Sequence, residues 1–237
     1  GSFKNTKELK IPDYKIPDYP KNQFFVFQDD EIESISFSFF EKNDFKKNNS
    51  FKNYREAVIG YLTEAIFERR VREIKEKNEQ NFLSAYIIDF NASDLDAFKI
   101  AAVTLKEDKI LLGIEDFLTL IEQIKQHGFL NSELELAKRN QLNYLKRNVE
   151  ESETRSSDDY INEYQRHFLY DEMISGSAKE VEYTSDNYPT ISVEDLNSYF
   201  NNYIKAENQI INIKGPEFIT NLPSKEEIDQ LLNKVSA

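Results

Sequence analysis

Hydrophobic residues follow two rhythms along this chain. In SISFSFF (34–40), Ile35, Phe37 and Phe39 alternate with serines, which places one face of a strand on a core and the other toward water. The aromatic and β-branched stretch NQFFVFQ (22–28) predicts a strand before it. From 51 to 77 the period changes: Tyr54, Val58, Tyr61, Leu62, Ala65 and Ile66 recur at helical spacing, with Arg and Glu on the other side. The strand rhythm returns in LSAYIIDFN (83–91) and AFKIAAVTL (97–105), joined by the turn-like ASDLD.

Helical signals dominate the rest. Ile110, Ile114, Phe117, Leu118, Ile121 and Ile124 form one stripe over 110–126, which stops at His127-Gly128, where glycine suits a helix C-terminus. Ser132 and Glu135 have the spacing of a capping box for a helix to 150. Another helix spans 156–172, where Tyr160, Tyr164 and Phe168, with Ile161 and Leu169, predict a buried packing face. Ser192 to Asp195 and Ser224 to Glu227 open two more, with the strand NQIINIKG (208–215) between them. The order β-β-α-β-β-α-α-α-α-β-α predicts an α+β domain, a mostly antiparallel sheet with helices packed on it.

The first twenty-one residues have no such rhythm. KIPDY occurs twice, at 10–14 and 15–19, and its prolines exclude a helix and favour an extended run. Gly1-Ser2 resembles the scar of a removed tag, so residues 1–21 are read as scar and Pro-rich linker. Residues 22–237 are read as one domain.

Composition narrows the function. Eighteen Phe and thirteen Tyr exclude a disordered chain. A net charge of −13 argues against nucleic acid, whose phosphates require clustered Lys and Arg, and RRVREIK (69–75) is broken by acid into a solvated helix face. The absence of cysteine removes disulfides, a thiol nucleophile and thiolate metal sites. No apolar run is long enough to span a membrane.

Candidate chemistry is sparse. His127 and His167 are forty residues apart and belong to no H-x-x-E-H or H-x-x-E-H-like pattern, so no metal site is predicted. His167 is expected to partner Asp171 or Glu163, and His127 to face the carbonyls of a helix C-terminus. The acid pairs Asp29-Asp30, Glu150-Glu151 and Asp158-Asp159 are sequence neighbours that point apart, as solvated turn and helix residues do. There is no G-x-S-x-G elbow and no phosphate-cradling glycine loop. Catalytic, cofactor-binding and metal-binding residues are therefore all read as none.

From residue 127 the chain reads HGFLNSELELAKRNQLNYLKRNVEESETRSSDDYINEYQRHFLYDE, and later EVEYTSDNYPTISVEDLN. This resembles the pitrilysin/insulinase family of zinc metallopeptidases, in particular the second, non-catalytic domain of long bacterial members. The matching segments are Glu133 to Lys138, Glu163 to Leu169 and Pro189 to Asn197, and with the earlier IPDY the resemblance spans residues 10 to 235. It implies a fold like that of the mitochondrial-processing-peptidase-like metallohydrolases. It also implies an accessory role in a zinc metalloendopeptidase, as part of the wall of a substrate-enclosing chamber. The expected partners are the catalytic domain of the same parent chain and peptide substrates. Zinc is expected in that catalytic domain and none in this chain. The parent is expected to be periplasmic or secreted. The alternative is a non-peptidase binding or assembly subunit of the same fold.

Overall fold

The computed structural model describes residues 14–78, 80–93, 95–151, 157–205 and 208–235. Gly1-Ser2 and the first KIPDY copy up to Asp13 lie outside them. Strands β1 (Gln23–Asp29), β2 (Ile35–Asp44), β3 (Phe82–Asn91), β4 (Asp96–Leu105) and β5 (Gln209–Pro216) form one sheet in the order β1-β5-β2-β4-β3. Only β1 and β5 run parallel; the other three pairings are antiparallel. Among the described residues the helices are α1 (Phe51–Glu76), α2 (Ile110–His127), α3 (Asn131–Glu150), α4 (Ser157–Tyr170), α5 (Gly176–Asn187), α6 (Val193–Phe200) and α7 (Lys225–Val235).

The alternation in the sequence sets the register. Phe37 pairs with Val103 on β4 and Ile213 on β5, and Phe39 with Ala101 and Ile211, so one sheet face carries an unbroken apolar field. Those side chains pack under Leu62, Ile66 and Phe67 of α1, Ile114 and Phe117 of α2, Leu196 and Phe200 of α6, and Ile228 of α7, in one continuous core. Each fully buried Phe, Ile or Leu contributes about 2 kcal/mol through lost apolar contact with water. All six residues of the stripe predicted on α2 are buried. On α1 the buried line runs through Val58, Ile59, Leu62, Ile66, Phe67 and Val71, whereas Tyr61 lies outside it and is exposed.

Helix α5 has no counterpart among the predicted elements. Its sequence, GSAKEVEYTSDN, has little apolar character, and it is held largely by polar anchors: the Tyr54 hydroxyl lies 2.9 Å from Thr184 Oγ1. The cap of α3 also differs from expectation. The helix starts at Asn131, and the Glu133 carboxylate, not Glu135, reaches back to accept the Leu130 N–H at 2.7 Å. Glu133 is drawn there because Arg70 of α1 donates to both its oxygens at 2.7 Å. The boxes at Ser192/Asp195 and Ser224/Glu227 form as predicted.

Gly128 ends α2 with φ +69°, and its N–H caps the Ile124 carbonyl at 2.8 Å. A Cβ there would sit 2.6 Å from Asn197 Nδ2, while Asn197 Oδ1 accepts the Phe129 N–H. Glycine meets both the backbone and the space requirement, and the contact ties the α2–α3 junction to α6.

The second KIPDY copy is ordered along one end of the sheet. Ile16 N–H donates to Asp96 Oδ2 at 2.8 Å, Lys42 donates to the Ile16 carbonyl and to Asp18, and Tyr19 N–H donates to Asn208. Beneath it Lys42 pairs with the fully buried Asp96 at 3.4 Å. Burial disfavours the Lys42 ammonium, but Asp18 and Asp96 outweigh it and raise its pKa.

Candidate functional site

The helices cover one sheet face; the described residues put none on the other. Across that second face, cross-strand pairing lines up Ile88 of β3, Ile100 of β4, Phe40 of β2 and Ile210 of β5. Phe40 meets Phe98 edge-to-face at 6.3 Å between centroids. On β3 the row ends in the exposed Ile88, with the exposed Tyr86 and Phe90 on either side of it; on β1 Gln23 stands opposite Ile210, and the exposed Phe25 and Phe27 stand opposite Asn212 and Lys214.

At one end of β3 and β4 a group of ionisable side chains sits below a cleft of about 210 Å3 lined by Asn43, Asn53, Glu56, Asp89, Lys99 and Tyr199. Asp89 accepts from Lys99 at 2.9 and 3.0 Å, from the Tyr203 hydroxyl at 2.8 Å, and from the Tyr199 hydroxyl. Glu64 Oε1 of α1 accepts from the Asp89 N–H at 3.2 Å and from Tyr203 at 3.3 Å. The Lys99 ammonium stands 3.5 Å from the Tyr199 ring centroid and 4.7 Å from that of Tyr203.

Local sequence explains the approach. Gly60 lies on α1 where Tyr199 Oη would come within 2.6 Å of a Cβ, so a glycine, costly inside a helix, lets α6 close on the network. Tyr199, in the last turn of α6, and Tyr203, in the turn that follows, both bring their hydroxyls to Asp89.

Burial, and then the nearby Asp89 charge, push the Glu64 carboxyl up to about 7. Burial depresses Lys99, against the opposing pull of Asp89. Burial and the same carboxylate raise both tyrosines well above the ordinary phenol range. Both oxygens of Asp89 are occupied, and the group braces α1, β3, β4 and α6. Glu64, raised to about 7, exchanges a proton near neutrality.

The residues singled out in the sequence do not converge on this site. His127 is exposed in the last turn of α2. His167 Nδ1 donates to the Glu172 carbonyl at 2.6 Å, not to Asp171 or Glu163; Asp171 is bound instead by Lys47 and Asn49. Asp29 closes a turn by accepting the Glu31 N–H, and Asp30, Glu150, Glu151 and Asp158 are exposed. The side chain of Asp159 lies outside the described residues. No group of three or more His, Cys, Asp or Glu among the described residues is placed to hold a metal ion, so these residues do not fit a zinc site. None of the described helices is long and apolar enough to cross a membrane.

The packing face predicted on α4 is wrong. Tyr160, Ile161, Tyr164, Phe168 and Leu169 are all exposed, Phe168 by 85%. The amphipathic pattern is real, but its apolar side faces away from this domain's core.

The network was missed because charged residues scattered in strands draw no attention. The signal was phase: Asp89 follows Ala85 and Ile87, and Lys99 precedes Ala101 and Val103, so both stand on the helix-covered face, at its end. Glu41, in phase with Ile35, Phe37 and Phe39, is buried and paired with Lys205 at 2.8 Å.

Compared with solved structures, the chain superposes over 98% of its length on the periplasmic protease PqqL from Escherichia coli, with TM-score 0.88 and 14% identity, covering 26% of that chain. On the first half of PqqL the TM-score is 0.89, again at 14% identity, covering 50% of that chain. A peptidase M16 inactive domain from Pseudomonas fluorescens matches over 90% of this chain and 48% of that one, with TM-score 0.58 and 14% identity. This is the insulinase-type (M16) peptidase domain fold. No family model and no curated protein sequence matches. The chain spans about a quarter of PqqL and half of its first half. The α+β layering and mostly antiparallel sheet expected from the sequence are those of the M16 fold.

Proposed function

We propose that this chain is a non-catalytic companion domain of an insulinase-type zinc metalloendopeptidase, and that it forms part of the wall enclosing the substrate. The supporting observation is the helix-free sheet face. It presents an aromatic and aliphatic field from Ile88 to Ile210, edged by the unpaired margin of β3, in a chain that overlays a PqqL domain end to end. An unfolded peptide offers what such a surface binds: apolar side chains and unpaired backbone groups. Hydrolysis and the zinc that activates its water belong in this reading to another domain of the parent protein. That parent is periplasmic, as PqqL is.

The test uses the full-length protein. Replacing Ile88 and Phe90 by Asp lowers kcat/KM for long unfolded peptides at least tenfold and leaves short-peptide cleavage within twofold. Equal losses on long and short peptides would remove the wall role. Zinc is expected at about one equivalent in the full-length protein and far below one in the 237-residue chain. A full-length protein with neither zinc nor peptidase activity would favour a binding or assembly subunit.

A further inference from the structure

Helix α4 carries its apolar residues in register. Tyr160, Tyr164 and Phe168 follow one line, with Ile161 and Leu169 beside it and Ile174 just beyond, and every one of the six is at least 40% exposed. The helix is tied to the domain through its C-terminal end and its polar side. His167 donates to the Glu172 carbonyl, Arg166 pairs with Glu172 at 3.2 Å, and the Tyr170 ring rests 5.6 Å from that of Phe45. Beyond that end, Lys47 and Asn49 hold Asp171. The domain thus fixes where α4 points and leaves its apolar face outward.

We infer that this face of α4 docks on a companion domain of the same polypeptide, at a surface that is apolar in the centre and basic at the rim. Charge selects that occupant. Asp158, Glu163, Asp171 and Glu172 lie on the helix or just beyond it against two cations, Arg166 on Glu172 and Lys47 on Asp171, which leaves an excess of acid beside the stripe. A second copy would bring the same acidic rim, within a chain of net charge −13, against this one. Length points the same way. The fold takes up half of the first half of PqqL, so a neighbouring domain of similar size adjoins it there. Five large side chains on one helix are a fitting centre for an inter-domain contact of ordinary size, roughly 600–1,500 Å2. The inference rests on the proposed role beside a companion domain, but not on that domain's being a peptidase.

Hydrogen exchange of α4 amides, in the 237-residue chain and in the full-length protein, tests it. Protection of residues 161–170 is expected to rise at least a hundredfold in the full-length protein. Ile161→Asp with Phe168→Asp is expected to abolish that rise while leaving the unfolding midpoint of the 237-residue chain unchanged. Equal exchange in the two proteins would overturn the inference. So would concentration-dependent protection in the 237-residue chain with a doubled molar mass, which would assign the face to a second copy. Peptidase activity measured on the same samples separates the two readings. Protected α4 without activity overturns the proposed function alone, and activity with unprotected α4 overturns this inference alone.

Discussion

Glu64→Gln is expected to stabilise the protein at neutral and alkaline pH and to have no effect in acid. Burial and the Asp89 charge raise the Glu64 carboxyl from its ordinary 4.5 to about 7 in the folded state. Below pH 4.5 the group is protonated in both folded and unfolded chains and costs nothing. Between 4.5 and 7 the unfolded chain releases the proton that the folded chain keeps, so stability falls as pH rises. Above 7 both states are ionised and the whole penalty is present. A pKa difference of about 2.5 corresponds to about 3 kcal/mol. Gln keeps an oxygen able to accept from the Asp89 N–H and from Tyr203, so the substitution removes the charge while retaining the acceptor.

The assay is urea unfolding followed by circular dichroism, at intervals from pH 4 to pH 8, for both proteins. The difference in unfolding free energy should be near zero at pH 4 and grow to about 3 kcal/mol by pH 8, with most of the change between 4.5 and 7. Taking the difference cancels the titration of the carboxylates that do not interact with Glu64. Parallel curves would refute the reasoning, because a constant offset reports repacking and not proton linkage.

Other substitutions probe how the site is supported. Arg70→Ala strips a two-point ion pair from Glu133, whose side chain is only 17% exposed, together with a bond to the Gly128 carbonyl and the contact with the Phe129 ring. A loss of about 2–4 kcal/mol in urea unfolding is expected, and Arg70→Lys should recover only a small part of it. Gly128→Ala forces a side chain into a backbone with φ +69° and against Asn197, so a cost of about 1–3 kcal/mol is expected. A Gly128→Ala protein as stable as the parent would show that the α2–α3 junction shifts freely. Tyr199→Phe removes one donor from Asp89 while leaving the ring under Lys99, and should cost about 1 kcal/mol.

The elements were legible wherever one rhythm was strong. Ile35, Phe37 and Phe39 name the buried face of β2, and the α2 stripe names that helix, because each pattern reports burial against this chain's own core. The same logic misled at α4. An apolar stripe states that a helix face is covered, not by what, and Tyr160 to Leu169 are exposed in this chain. Helix α5 was illegible for the opposite reason: with Thr184 and Asn187 among its buried residues, it has little apolar periodicity to detect. The candidate site lay between these cases. Asp89, Lys99 and Glu41 occupy strand positions whose phase demands burial while their chemistry resists it, and that conflict is settled by partners distant in sequence. Lys205 lies 164 residues from Glu41, and Tyr203 114 from Asp89. A charged residue in phase with a buried strand face is therefore a specific prompt to look for its counter-charge. Here it would have led to the Glu64 network before either histidine.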